Sequence, residues 1–212
     1  RLKTIYVIII DVFILYKNNK NNKVSAFMEW EQFLDPYVQA VGELKVKLRG
    51  IRKQYRKQQR HSPIEFVTGR VKSIESIQEK MVMHGISLEN LDRDMNDIAG
   101  LRIMVQFEDD ITEVLKVLRQ RKDMKIVLER DYITYKKPSG YRSYHVIVEY
   151  PVDTIDGNKV VLAEIQIRTL AMNFWATIEH SLNYKYKGEF PQEIKERLEI
   201  TARIAYELDK TM

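Results

Sequence analysis

A chain of 212 residues, 44% hydrophobic and 31% charged, carries enough apolar material for one cored domain and does not have the composition of a disordered protein. It has no cysteine, which excludes disulfides, thiol nucleophiles and thiolate metal sites, and its four histidines are not spaced as zinc-ligand pairs. The net charge of +5 is concentrated between Lys45 and Lys72, where Lys45, Lys47, Arg49, Arg52, Lys53, Arg56, Lys57, Arg60, Arg70 and Lys72 face one acid, Glu65; such a stretch is either a solvated helix face or a surface for a polyanion.

In chain order, Ile5 to Tyr16 is apolar except for Asp11 and too short for a bilayer, which takes about 20 residues. Arg1, Lys3 and the triplet Val24-Ser25-Ala26 fit a signal peptide, whereas Asp11 and the polar Lys17 to Lys23 tract oppose one. The first methionine is Met28, where a well-patterned region begins. Residues 1 to 27 are therefore expected to be a non-native or disordered extension, and residues 28 to 212 the domain with its terminal helices.

Residues 29 to 58 read as a helix, with Trp30, Phe33, Leu34, Tyr37, Val41, Leu44 and Leu48 recurring at three and four. Ser62-Pro63 interrupts the chain, and Ser73 to His84 is a second helix closed by Gly85. Strands are expected over Leu101 to Phe107, Met124 to Tyr132, Ser143 to Tyr150 and Val160 to Arg168, the last entered through an Asp156-Gly157 hairpin turn. Helices are expected over Asp110 to Arg121, Leu170 to Tyr184 and Gln192 to Asp209. The pattern predicts an α+β fold, a mixed and mostly antiparallel sheet of four or five strands flanked by helices.

With thiolates and paired histidines excluded, carboxylates must hold any metal, which favours a hard cation such as magnesium. Asp97, in Asp97-Ile98-Ala99-Gly100-Leu101-Arg102, precedes an apolar strand; it is either a turn acid closing the loop before it or a cation ligand. Gly100 would allow close backbone approach or an unusual φ. Alternation in the last strand puts Val160, Leu162, Glu164, Gln166 and Arg168 on one face, as a functional floor or as a solvent-facing half. Two carboxylates on neighbouring strands would suit magnesium bridging substrate phosphates. Gly69-Arg70-Val71-Lys72-Ser73 offers cations just ahead of a helix, without a Walker loop. Lys136 to His145 is a cationic turn entering a strand; Tyr141 and His145 share a side, so an aromatic could stack a base while cations hold phosphates. In the helix that follows, Phe174, Trp175 and Ile178 are expected in the core, and some of Asn173, Glu179 and His180 in a cleft.

Gly69-Arg70-Val71-Lys72, Asp97 to Arg102, Gly140-Tyr141-Arg142-Ser143-Tyr144-His145 and Glu164-Ile165-Gln166-Ile167-Arg168-Thr169 occur in this order, followed by the Asn173 to Tyr186 helix. From Met28 onward the chain resembles the synthetase domain of the RelA/SpoT homologue family, and in particular its small alarmone synthetases of the RelQ type. The resemblance implies a nucleotidyltransferase-like sheet and a cytoplasmic GTP diphosphokinase of the stringent response. This enzyme moves the β,γ-diphosphate of ATP to the 3′-hydroxyl of GDP or GTP. It implies that Asp97 and Glu164 hold magnesium, with Glu164 also the base. Arg70 and Arg102 would sandwich adenine, with Lys72, Ser76, Lys80 and Gln166 around the ATP. Tyr141 would stack on guanine, with Arg130, Lys137, His145 and Asn173 on the same nucleotide. It further implies a homotetramer in which Lys45, Arg49, Arg52, Phe66 and Thr68 bind the alarmone (p)ppGpp as an allosteric activator, with single-stranded RNA as another partner and no membrane. The chain contains no His-Asp dipeptide, so synthesis without the family's hydrolase activity is expected. The competing readings are a non-catalytic RNA- or alarmone-binding regulator and a nucleotidyltransferase that releases pyrophosphate.

Overall fold

The computed structural model describes residues 20–135, 137–186 and 189–212, with side chains from residue 29 onward. Five strands, β1 (Phe66–Val71), β2 (Ala99–Val105), β3 (Lys125–Asp131), β4 (Tyr144–Thr154) and β5 (Gly157–Thr169), form one sheet in the order β1-β2-β5-β4-β3. Only β2 and β5 run parallel; the other neighbours are antiparallel. The helices are α1 (Lys20–Lys57), α2 (Ile74–His84), α3 (Leu91–Asp94), α4 (Glu108–Arg119), α5 (Leu170–Lys185) and α6 (Gln192–Thr211). This is the expected α+β architecture, with β1 as a strand that hydrophobic patterning did not reveal.

Contacts divide the chain into two units, Arg1–Pro36 and Tyr37–Met212. In the first, the helix begins at Lys20, well ahead of the periodic pattern at residue 29, and the Trp30 and Phe33 rings meet edge to face at 5.9 Å. Pro36, inside α1, has no N–H for the bond to the carbonyl four residues back. The signal-like run Ile5 to Tyr16 lies outside the described residues.

In the second unit, side-chain alternation gives the sheet two unlike faces. Val67, Leu101, Ile103, Val146, Val148, Ala163 and Ile165 point to one face and are all buried. Helix α1 covers this face: Lys47 Nζ donates to the Tyr150 hydroxyl at 2.6 Å, that hydroxyl donates to Glu43 at 2.6 Å, and Arg49 donates to the Val67 carbonyl at 3.1 Å. Ile111, Val114, Leu115 and Leu118 of α4 are buried, each contributing about 1.5–3 kcal/mol as an upper estimate. Helix α4 starts at Glu108 rather than Asp110 because Asp110 reaches back to accept the Phe107 N–H, which places it inside the first turn.

Local signals explain the other ends. Ser73 caps α2 by accepting the Ser76 N–H, and Gly85 ends it at φ +66. The β4–β5 hairpin turns on Ile155-Asp156, with Thr154 paired to Gly157 at φ +107, one residue earlier than the dipeptide expected. In α5 the expected core is corrected: Trp175 is buried and donates Nε1–H to the Leu198 carbonyl, but Phe174 is 70% and Ile178 43% exposed. The buried side of α5 is Met172, Trp175 and Ala176.

Candidate active site

The second face of the sheet is polar. Strand pairing sets Gly100 beside Glu164, Arg102 beside Gln166, Gln166 beside His145 and His145 beside Arg130, so one surface collects side chains from β2, β5, β4 and β3. Glu164 and Arg168 are buried in it, as floor residues rather than a solvent-facing half of the strand. Arg70 on β1 is diagonal to Arg102, whose direct partner is Thr68, so the two guanidinium groups rise from the same face. Gly100 needs no special conformation: a Cβ there would stand 3.7 Å from the Arg70 carbonyl, an ordinary contact.

Glu164 accepts from His145 Nδ1 at 3.0 Å and from Gln166 Nε2 at 2.8 Å. Burial pushes its carboxyl up, but these bonds and the His145 ring outweigh burial and the repulsion of Asp97, holding it below the usual carboxylate range. Asp97 stands 3.2 Å from Lys72 and 2.9 Å from Lys80. Burial again works upward, and the two ammonium groups overcome it, so Asp97 is also held low. Both acids are therefore carboxylates at neutral pH. Among the described residues Asp97 Oδ1 and Arg102 Nε are buried without a well-aligned hydrogen bond, Lys80 lying close to the former as an ion pair. No group of three or more His, Asp or Glu gathers among the described residues. Two carboxylates with one unaligned oxygen fit magnesium, which takes one or two protein carboxylates and completes its shell with phosphates and water.

Around Glu164 a chain of donors is set in series. Arg168 Nη2 donates to the Tyr141 hydroxyl at 2.6 Å, and that hydroxyl lies 2.9 Å from His145 Nε2. The two ring nitrogens of His145 are thus engaged by the Tyr141 hydroxyl on one side and by Glu164 on the other. Arg168, which sequence reasoning placed on the floor without a role of its own, also donates to Ser143 and Gln166, so a buried guanidinium is satisfied here by neutral oxygens. Its alternation with Glu164 and Gln166 was the available signal. Lys137 sits 4.7 Å from the Tyr132 ring and 5.0 Å from the Tyr141 ring.

The other expected residues divide. Arg102 donates to Asn173 at 3.0 Å, joining the two groups assigned to different nucleotides; burial and neighbouring Arg168 pull its guanidinium below the ordinary value. Ser76 lies in the first turn of α2, its hydroxyl 3.1 Å from Ser73. His180 is exposed and Glu179 accepts from Asn183 within α5, so neither joins this cluster. Arg49 and Arg52 reach β1 and Glu65 from the α1 side, and the Lys45 stem lies against Gly69, whereas Phe66 and Thr68 point to the opposite face.

Comparisons with known proteins find relatives of this chain in sequence and in fold. A family model described as a region found in RelA / SpoT proteins matches residues 69–189. The GTP pyrophosphokinase YjbM of Bacillus subtilis is 59% identical over 184 residues, covering 87% of each chain. A solved GTP pyrophosphokinase family protein from Streptococcus pneumoniae is 74% identical with TM-score 0.85, over 87% of this chain and 91% of its own. Small alarmone synthetase 1 from Bacillus subtilis, solved bound to its product pppGpp, is 59% identical with TM-score 0.84, over 87% and 94%.

Proposed function

The chain belongs to the RelA/SpoT family, and we propose that it is a small alarmone synthetase: a GTP pyrophosphokinase that transfers the β,γ-diphosphate of ATP to the 3′-hydroxyl of GDP or GTP and releases AMP. The observation that carries this reading is the buried carboxylate of Glu164 on a face rich in cations, within a chain 59% identical to a GTP pyrophosphokinase.

The chemistry follows from the residues. Transfer of a phosphorus group calls for an in-line nucleophile and neutralised oxygens more than for covalent help. Glu164, ionised and oriented by His145, accepts the proton of the 3′-hydroxyl, a role worth about 10²–10⁴ in rate. Asp97 and Glu164 would hold magnesium, which would supply positive charge to neutralise the transferred phosphates. Arg70 and Arg102 grip adenine between them, and Lys72, Lys80, Ser76 and Gln166 line the triphosphate. Tyr141 stacks on guanine, with Arg130, Lys137, His145 and Asn173 on the acceptor's sugar and phosphates.

Incubation with ATP, GDP and magnesium, followed by chromatography and mass measurement, tests this. AMP and a guanosine carrying a 3′-diphosphate are expected, and Glu164→Gln should make both about 10²–10⁴-fold more slowly. A nucleotidyltransferase would release pyrophosphate instead; absence of AMP and alarmone, with Glu164→Gln unchanged from the parent, sinks the proposal.

The proposal extends to assembly and control. Ile200, Ile204 and Leu208, four residues apart on α6, are 48%, 61% and 51% exposed, which supports self-association into the homotetramer. Lys45, Arg49 and Arg52, next to β1, support a polyanion site for (p)ppGpp or single-stranded RNA. Nucleotide substrates point to the cytoplasm, and no helix among the described residues is long and apolar enough to cross a membrane.

A further inference from the structure

The turn between β3 and β4 carries Lys137 and Tyr141, and its far side is fastened to the C-terminal helix. The Arg142 side chain is 3% exposed; it donates to Asp209 Oδ2 at 2.5 Å and to the Ala205 carbonyl at 3.1 Å, both on α6. Asp209 is itself 5% exposed. Glu108, at the start of α4, stands 3.5 Å from the same guanidinium, Lys210 pairs with Glu108 at 2.9 Å, and the Tyr206 ring lies 5.1 Å from Arg142 Cζ. On the other side of Tyr141, Gly140 has φ +85 and abuts α6 so closely that a Cβ there would overlap the Ala202 Cβ. Tyr141 itself packs against the buried cluster of Trp175, Ala176, Leu198 and Ala202.

A buried guanidinium–carboxylate pair contributes little net stability compared with apolar packing, but it tolerates only one geometry. Here that geometry fixes the residues before and after the aromatic ring that faces the acceptor. We infer that Asp209 and Ala202 are positioning residues for the acceptor nucleotide: through Arg142 and Gly140 they set the Tyr141 ring, which makes α6 a part of the guanosine site. This inference rests on the reading of Tyr141 as the guanine-stacking residue.

Steady-state kinetics of the full chain, with ATP and GDP varied separately, test it in Asp209→Asn, Asp209→Glu, Ala202→Val and Tyr141→Ala. Asp209→Asn weakens the clamp without removing its shape, and Ala202→Val presses on Gly140 while leaving the ion pair intact. Each is expected to raise KM for GDP about tenfold, with kcat and KM for ATP within about twofold, the scale of a misplaced binding group. Asp209→Glu, which keeps the carboxylate, should recover part of the GDP affinity. Hydrogen exchange should accelerate at residues 137–143 more than in α5. An unchanged KM for GDP in folded Asp209→Asn and Ala202→Val overturns the inference. A parallel fall in every kinetic constant, with faster exchange throughout α5 and α6, overturns it equally, because it describes a merely structural helix. Should Asp209→Asn not fold, Ala202→Val decides alone. If Tyr141→Ala leaves KM for GDP untouched, the acceptor assignment itself fails and the inference falls with it, an outcome distinct from unchanged Asp209→Asn and Ala202→Val beside an impaired Tyr141→Ala.

Discussion

Glu164 owes its negative charge to its neighbours rather than to solvent. His145 and Gln166 donate to opposite oxygens of the carboxylate, so the charged form is stabilised where burial alone would have favoured the acid. Glutamine has nearly the same shape and can still accept from His145. Glu164→Gln is therefore expected to fold normally by circular dichroism and to lose about 10²–10⁴ of its rate in a single-turnover assay. Full activity in that variant would remove the base from the mechanism. Asp123 shows the same kind of balance away from the site. Burial works against its charge, but Arg121 and Lys47 prevail, and its carboxyl falls from 3.8 to about 2. Because the folded value is the lower one, the stabilisation is complete above 3.8 and is lost as pH falls towards about 2. In Asp123→Asn the acid limb of the melting-temperature profile should flatten over that interval. An acid limb identical to the parent's would show that the pair contributes nothing.

At the level of elements, α1 and β1 meet at Gly69, where a Cβ would come within 3.0 Å of Val41 Cγ1, 3.1 Å of Lys45 Cδ and 3.3 Å of the Gly100 carbonyl. Gly69→Ala is expected to cost about 1–3 kcal/mol in urea unfolding, the usual range for overpacking. It should also disturb Arg70, next in the same edge strand. Stability equal to the parent's would mean that α1 yields freely there. This contact also shows why β1 escaped sequence reading. A six-residue edge strand interrupted by glycine carries little alternation, and the helix that explains the glycine lies far back in the chain. Strand β5 was legible for the opposite reason: its apolar and polar residues alternate from Ala163 to Arg168, and the floor could be read directly. Adjacent aromatics defeat periodicity, since nothing local chooses between Phe174 and Trp175; the Leu198 carbonyl, on another helix, makes the choice. The Arg142–Asp209 pair joins positions 67 residues apart, beyond any local pattern.

For the whole molecule, the excess positive charge and the apolar stripe of α6 separate into different surfaces. Lys45, Arg49 and Arg52 accompany β1, whereas Ile200, Ile204 and Leu208 follow the C-terminal helix. Ile204→Glu is expected to lower the assembled mass in sedimentation without lowering the melting temperature, because Ile204 is 61% exposed in the isolated chain. An unchanged mass would move the self-association surface elsewhere. The two faces of β5 carry a further consequence. Residues of one parity build the core and those of the other include Glu164, Gln166 and Arg168 of the polar face, so one reading frame of the strand specifies both. Inserting a single residue before Ala163 would turn Ile165 and Ile167 towards the polar face and Glu164 and Arg168 into the apolar interior. Such a change cannot yield a folded but inactive protein. A frame error in this strand would therefore show itself as lost stability and never as lost activity alone.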